Sequence, residues 1–317
     1  AAAFLDWQTC NKLPKTGRSY LTYALTDAGT VRTEATLVRL AEDDFYVVTA
    51  GAAQAYDVDY FEKEAAKRRD ALGWIEVQDV TSQWGVLAIA GPKTRDVLRE
   101  LIVDADPATA LSNKRFPWLS MRRIDLGMVP TMAIRVAYTG ELGWELHHPM
   151  EMQSHLLDRL LEAGAPHGLK PFGARAQNWL RQEKSYRAFG SDLGRDASPL
   201  ESGLDRFVDL SKDFRGKAAR EGLGIRAKCV TFQIDGPNDA DPWGRESLLS
   251  DGACVGRLPS GGWSVALGRQ IGLGYVPEAL SAPGTKLQCR IMDALWDAEV
   301  VEDSPYEPAN ARLRQDG

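Results

Sequence analysis

Three carboxylates, two arginines and a tyrosine sit where their side chains could do chemistry. The first group lies in Tyr138-Thr139-Gly140-Glu141-Leu142-Gly143-Trp144-Glu145-Leu146, preceded by the alternating Met132, Ile134 and Val136. The paired glycines predict a tight reversal between two strands. On the second strand Trp144 and Leu146 share one face, so Glu145 points to the other. A carboxylate in that position can accept two N–H hydrogens at once, and charged acceptors make the stronger bonds.

Some thirty residues on, Pro171-Phe172-Gly173-Ala174-Arg175 opens a helical pattern in which Phe172, Ala176, Trp179 and Leu180 recur at three- and four-residue spacing. Arg175, Trp179 and Glu183 fall on one stripe of that helix. Buried charge is costly unless paired or bound. The planar fork of Arg175 therefore either meets a carboxylate or carbonyl edge of a ligand, or ion-pairs with Glu183 or Glu145 as scaffold. Glu34, in Arg32-Thr33-Glu34-Ala35-Thr36, stands in the middle of a strand-like run where glutamate is depleted. On its residues alone that stretch reads as a carboxylate on the solvent side of a pleat.

The elements around these groups can be read in order. Ala1 to Trp7 looks like helix interior without a start signal, which leads us to expect a longer polypeptide whose first segment precedes Ala1. Ser19 to Leu25, Val31 to Leu40 and Phe45 to Thr49 predict an antiparallel meander. Gln54 to Arg69 reads as a helix, Trp84 to Ala90 as a buried strand ending at Gly91-Pro92, and Lys93 to Leu101 as a helix. A loop from Pro107 to Pro117 leads to strands at Leu119 to Asp125 and Val129 to Tyr138. Strand pairs alternating with helices fit an α+β class with two interleaved subdomains. Past a boundary near Gly222-Leu223-Gly224, short strands dominate: Cys229 to Ile234, Ala253 to Leu258, Trp263 to Leu267, Ile271 to Val276, Leu287 to Ile291 and Leu295 to Val301. Their spacing predicts a small β-barrel or sandwich. The division is thus 1–222 and 223–317.

The chain has 317 residues, enough for two or three domains, with 44% hydrophobic and 26% charged residues. Disordered and membrane classes fall away, since no apolar run approaches a membrane span. A net charge of −6 argues against a nucleic-acid partner. Lys67-Arg68-Arg69 ends a helical pattern, where cations favour the helix dipole. Cys10, Cys229, Cys254 and Cys289 are scattered, which fits a reducing compartment and a cytoplasmic setting. With four histidines and no clustered ligands, no metal is expected.

The Tyr-Thr-Gly-Glu-x-Gly-x-Glu segment, the Gly-Ala-Arg helix ending in Leu-Arg-x-Glu, and Tyr186-Arg187-Ala188-Phe189-Gly190-Ser191-Asp192-Leu193 together resemble the tetrahydrofolate-binding aminomethyltransferase family. That family includes the T-protein of the glycine cleavage system. The likeness is greatest to the folate-binding half of dimethylglycine and sarcosine dehydrogenases and oxidases. Ser198-Pro199-Leu200-Glu201-Ser202-Gly203, Ser260-Gly261-Gly262-Trp263, Gly272-Leu273-Gly274-Tyr275 and Asp303-Ser304-Pro305-Tyr306-Glu307-Pro308 extend it over nearly the whole chain.

The resemblance implies interleaved ferredoxin-like folate-binding subdomains followed by a C-terminal β-barrel. It implies that Glu34 matches the acid beside the folate nitrogen that assists carbon transfer, here Glu where the family has Asp. Glu145 would accept the pterin N–H groups, and Tyr138 would stack on the ring. Arg175 would be a further cofactor contact and Arg312 an outer one. Trp179 and Tyr186 read as core, and Glu183 as structural. The implied reaction passes a one-carbon unit from a methylated amine to tetrahydrofolate. No Gly-x-Gly-x-x-Gly follows a strand, so FAD would lie on a separate module or subunit, a flavoprotein partner. In a eukaryote the setting would be the mitochondrial matrix. Three other readings compete. One is a stand-alone or non-flavin tetrahydrofolate-dependent demethylase, and another is a non-catalytic regulatory or scaffold relative. The third, a folate-binding iron–sulfur or tRNA-modification protein, lacks the Lys-Gly-Cys motif it would need.

Overall fold

The computed structural model describes residues 1–236 and 240–316. Helix α1 (Ala2–Gln8) carries no side-chain cap. It leads into β1 (Ser19–Leu25), β2 (Val31–Ala41) and β3 (Asp44–Thr49), which pair antiparallel in that order. Ala24, Ala35, Leu37, Phe45 and Val47 turn one face of this sheet onto Phe4, Leu5, Tyr60, Phe61 and Ala65. The last three belong to α2 (Gln54–Lys67), whose expected continuation breaks at Arg68 before the short α3 (Arg69–Leu72).

The second subdomain follows: β4 (Trp84–Ala90), α4 (Thr94–Leu101), α5 (Pro107–Ala110), β5 (Met121–Leu126), β6 (Val129–Ile134), β7 (Gly143–Pro149) and α6 (Gln153–Gly164). Its sheet runs β4-β7-β6-β5. Ile89, Ala133, Trp144 and Leu146 pack against Val97, Leu98, Leu101, Leu156 and Leu160 of α4 and α6. Backbone bonds Ser19 N–H to Leu119 O (2.9 Å) and Met121 N–H to Gly17 O (2.9 Å) join the two sheets. After α7 (Ala174–Glu183) the chain returns to the first sheet, where Leu193, Leu204 and Phe214 pack on Tyr23, Leu25 and Val31. That return is what interleaves the subdomains. Helix α8 (Lys217–Gly222) ends this part.

The last part is a closed barrel, in order β10-β11-β8-β13-β12-β9. Its strands are β8 (Lys228–Ile234), β9 (Glu246–Ser250), β10 (Ala253–Ser264), β11 (Arg269–Val276), β12 (Lys286–Ile291) and β13 (Ala294–Val301), with α9 (Ala311–Arg314) in the tail. Closure selects barrel over sandwich. Strand β9 escapes sequence reading because it is short and polar at both ends, and β10 fuses two expected strands through a register shift between Arg257 and Ser260. Two further expectations change. The tight reversal at Gly140 is instead a loop over residues 135–142, because β6 pairs with β7 only as far as Ile134 opposite Glu145. The loop is anchored by buried Arg135, which donates to Phe116 O at 2.7 Å. The expected loop from Pro107 opens with α5, capped by Asp106.

Helix α7 seats on β10, and Gly262 is where they touch. A Cβ there would collide with the indole of Trp179. We expect Gly262→Ala to cost about 1–3 kcal/mol, the usual range for overpacking, read as a drop in the urea midpoint with unchanged m-value. Among the described residues no helix is long and apolar enough to cross a membrane.

Candidate functional site

Each sheet has one face covered by helices, and the opposite faces touch where Tyr46 of the first reaches His147 and Trp84 of the second. In the first sheet strict alternation leaves Tyr23, Glu34, Thr36 and Tyr46 on the helix-free side, with Tyr23 directly across from Glu34. In the second, Glu145 and His147 lie opposite Trp144 and Leu146, flanked by Ala88 and Ile134. The Tyr46 hydroxyl contacts His147 Nδ1 at 3.1 Å, and the two rings meet edge to face at 5.4 Å. Glu34 thus shares a sheet face with Tyr46, and Glu145 shares one with His147, the two residues through which the sheets touch.

Glu34 is half-buried, and its carboxyl group is withdrawn from water. Burial pushes it up to about 7; the Tyr23 hydrogen bond and the Arg181 charge pull it down, and Asp192 pushes it up. Burial also raises Tyr23 well above the usual phenol value, with Glu34 adding to the effect, so the Tyr23 O–H donates and Glu34 accepts. Tyr138 lies within the same field: burial raises its hydroxyl, Arg181 lowers it, and Glu34 and Asp192 raise it. Its ring stacks on Tyr186, with centroids 6.1 Å apart at 21°. Tyr186, expected as core, is thus half-buried beside the site.

Near Glu34 lies a buried ion pair, Arg181 with Asp192, that sequence reading did not single out. The Arg181 guanidinium bonds Asp192 Oδ2, Tyr186 O (2.7 Å), Asn178 Oδ1 (2.7 Å) and Ser260 Oγ (2.7 Å). Ala188 N–H also donates to Asp192 Oδ2 at 2.9 Å, while Oδ1 is buried without a donor among the described residues. Both side chains are withdrawn from solvent, at 1% and 0% exposure. The available signal was the Arg-Gln-Glu end of the helix, three polar residues where an amphipathic helix should turn outward. All three are buried, because that end faces the barrel: Gln182 Nε2 donates to Gly261 O (3.3 Å), and Ser264 Oγ donates to Glu183 Oε1 (2.6 Å). Glu183 Oε1 also accepts from Ala266 N–H at 3.1 Å, which ties the helix end to the barrel.

Arg175 does not reach Glu183 or Glu145. It lies on the exposed side of α7, pairs with Asp241 at 2.7 Å and sits between the rings of Trp179 (5.1 Å) and Trp243 (5.2 Å). Arg312 is carried by the tail that returns from the barrel. Ser304 N–H donates to Ser185 Oγ (2.8 Å), and buried Lys184 donates to Tyr306 O (3.0 Å) and Glu307 O (2.6 Å). From there Arg312 lies over Tyr306 at 5.4 Å and pairs with Glu141 at 3.2 Å, clasping the tail to the loop that carries Tyr138. Gly140 of that loop has φ +76°, and a Cβ on it would strike the Lys184 stem. The surface hollows beside Trp74 and beneath Trp84 share none of these side chains.

Two interleaved α+β subdomains followed by a closed barrel make up an aminomethyltransferase-like protein. Residues 1–212 match the GCVT N-terminal domain, and residues 228–307 match the glycine cleavage T-protein C-terminal barrel domain. The chain belongs to this aminomethyltransferase family. It is 37% identical to mitochondrial dimethylglycine dehydrogenase of Mus musculus, over 99% of this chain and 36% of that protein. It is 29% identical to mitochondrial sarcosine dehydrogenase of the same species, again over 99% and 36%. The chain thus spans about a third of the length of those dehydrogenases. Aminomethyltransferase of Thermus thermophilus is 32% identical over 89% of this chain and 76% of that protein. Aminomethyltransferase T of the Bartonella henselae glycine cleavage system shares the fold, with a TM-score of 0.81 and 22% identity over 97% of this chain and 81% of that one.

Proposed function

We propose that this chain is the tetrahydrofolate-binding, one-carbon-transfer portion of an enzyme that demethylates an N-methyl amine of the dimethylglycine or sarcosine type. The observation that carries the proposal is Glu34, a carboxyl raised to about 7 on a sheet face that meets the face bearing Glu145. The similarity to dimethylglycine and sarcosine dehydrogenases supports the choice of amine.

The residues present fit a reduced pterin. Glu145 is half-exposed, and among the described residues its carboxylate has one recorded hydrogen-bond partner, His147 Nε2 at 3.4 Å on Oε2, so Oε1 can accept a ligand N–H. Tyr138 supplies a flat face already aligned by Tyr186. Arg175 and Arg312 are the outer contacts in this reading. Each spends one terminal nitrogen on a carboxylate, leaving further donors of its fork for the rest of the cofactor. Bound tetrahydrofolate supplies the nucleophilic nitrogen that takes up the one-carbon unit.

The chain's own residues do the rest. Glu34, near half-ionised at neutral pH, would take the proton shed by the attacking nitrogen as the new carbon–nitrogen bond forms and return it to the amine nitrogen as the old one breaks and the demethylated amine leaves, and its charged form would steady a cationic imine beside it. Tyr23 holds the carboxylate by one donated hydrogen bond, and Arg181 biases it toward the charged form. Facing sheets keep donor and acceptor together and limit loss of the carbon to water. Oxidation of the amine belongs to a flavoprotein module or subunit outside these residues. The compartment follows that partner: the mitochondrial matrix in a eukaryote, the cytoplasm in a bacterium. The division at 222–223 is kept, supported by α8 ending at Gly222 and β8 starting at Lys228.

Calorimetric titration with tetrahydrofolate tests the proposal, with binding expected in the micromolar range, about −8 kcal/mol. Silence at tens of micromolar cofactor would overturn it. Glu145→Gln should weaken binding by roughly 10- to 100-fold, the worth of a hydrogen bond to a charged acceptor.

A further inference from the structure

His147 is fully buried on the same sheet face as Glu145, and its two ring nitrogens are both engaged. Nδ1 lies 3.1 Å from the Tyr46 hydroxyl, and Nε2 lies 3.4 Å from Glu145 Oε2. The two partners come from different sheets, Tyr46 from β3 and Glu145 from β7. Burial, followed by the Glu145 charge, pushes the Tyr46 hydroxyl up to about 12, so at neutral pH it keeps its hydrogen. That hydrogen can go to Nδ1. An imidazole accepting at Nδ1 carries its own hydrogen on Nε2, aimed at Glu145. The order is then Tyr46 O–H to Nδ1, and Nε2–H to Oε2. It leaves Oε1 free and limits the swing of a side chain that would otherwise sample several rotamers.

We infer that His147, backed by Tyr46, is a positioning residue for Glu145: it fixes the plane of the carboxylate, with Oε1 open and the second lone pair of Oε2 still available, and so sets the affinity for a ligand offering parallel N–H donors, the pterin edge of tetrahydrofolate. This rests on the reading of Glu145 as the pterin acceptor. A packing role alone predicts something different. Packing needs the volume of the ring and the Tyr46–Trp84 aromatic contact at 6.0 Å, but not a hydrogen on Nε2.

The experiment measures tetrahydrofolate affinity and thermal midpoint for the full chain carrying His147→Phe, His147→Gln, Tyr46→Phe and Glu145→Gln, with the His147→Phe/Glu145→Gln double variant. His147→Phe fills the space without the hydrogen bond and should raise the Kd about tenfold with little loss of midpoint. His147→Gln, whose amide nitrogen can stand near the Nε2 position, should recover most of that loss. In the Glu145→Gln background, His147→Phe should add less than about twofold. Tyr46→Phe should raise the Kd about two- to threefold, and it carries the test where His147→Phe fails to fold. Unchanged affinity in both His147→Phe and Tyr46→Phe would overturn the inference while a weakened Glu145→Gln left the cofactor site standing. A full tenfold loss that persists in the Glu145→Gln background would overturn it too. Unaltered binding by Glu145→Gln would remove the acceptor itself, and this inference with it.

Discussion

Replacing Glu34 with Gln is expected to slow one-carbon transfer by about 10²- to 10⁴-fold, the range for losing a positioned acid–base group, with tetrahydrofolate affinity changed by less than about threefold. Gln keeps the size and one acceptor oxygen for Tyr23 but cannot take a proton. The pH dependence makes the assignment specific. With the carboxylate as the proposed active form, the rate of the parent protein should climb as pH rises through about 7 and level off above it. In Glu34→Gln that limb should vanish. Stability should move the other way. The native carboxyl titrates near 7 and the unfolded one near 4.5, so the folded chain binds the proton more tightly between those values. Its contribution to stability is complete below about 4.5 and is lost as pH rises to about 7. Urea melts should therefore show the variant gaining on the parent across that window, by on the order of 2 kcal/mol after allowance for solvent screening. A variant with normal rates at every pH would leave Glu34 without a catalytic role, whereas a parent protein with no transfer at any pH would favour a non-catalytic relative.

Arg181→Met is expected to be the most destabilising single change at the site, by about 3–5 kcal/mol, because it leaves Asp192 buried without its counter-charge. That is a large part of the total stability of an ordinary domain. The double change Arg181→Met/Asp192→Asn should recover much of the loss, since what costs most is the unpaired charge rather than the missing pair. The same variants report on Glu34. Arg181 lowers its pKa and Asp192 raises it, so the rate limb should move above about 7 in Arg181→Met and below it in Asp192→Asn. Stopped-flow transfer assays across pH would show the two shifts. Shifts of the same sign would mean that the pair acts on Glu34 only through packing.

Local patterning carried a good deal of this. The alternation in β1 to β3 fixed their faces. Trp144 and Leu146 put Glu145 on the opposite side, and the glycine-spaced strands after Leu223 announced an all-β end. What local patterning could not carry was the identity of whatever covers a polar face. Glu34 reads as solvent-facing because nothing near it in the chain is apolar on that side; its cover is Tyr23 across the pair, with Tyr138 from the other subdomain close enough to feel its charge. Helix α6 was passed over, although its buried Leu156, Leu160 and Ala163 keep a helical spacing. Arg175 was placed on the right stripe but given the wrong protein partner, because Trp179 and the polar end of α7 settle on β10 and turn the first helical turn outward.

The amino-acid order by itself determined which residues are charged, which strand face each occupies and which family of folds the elements can build, because these follow from side-chain chemistry and the two- and 3.6-residue repeats. Only the tertiary structure decided that Glu34 is withdrawn from water, that Arg181 closes on Asp192, and that Tyr46 reaches His147 across 101 positions of chain. The reason is physical. A carboxyl's proton affinity is set by the solvent and charges within a few ångströms of it, and here those neighbours are delivered by segments far apart in sequence.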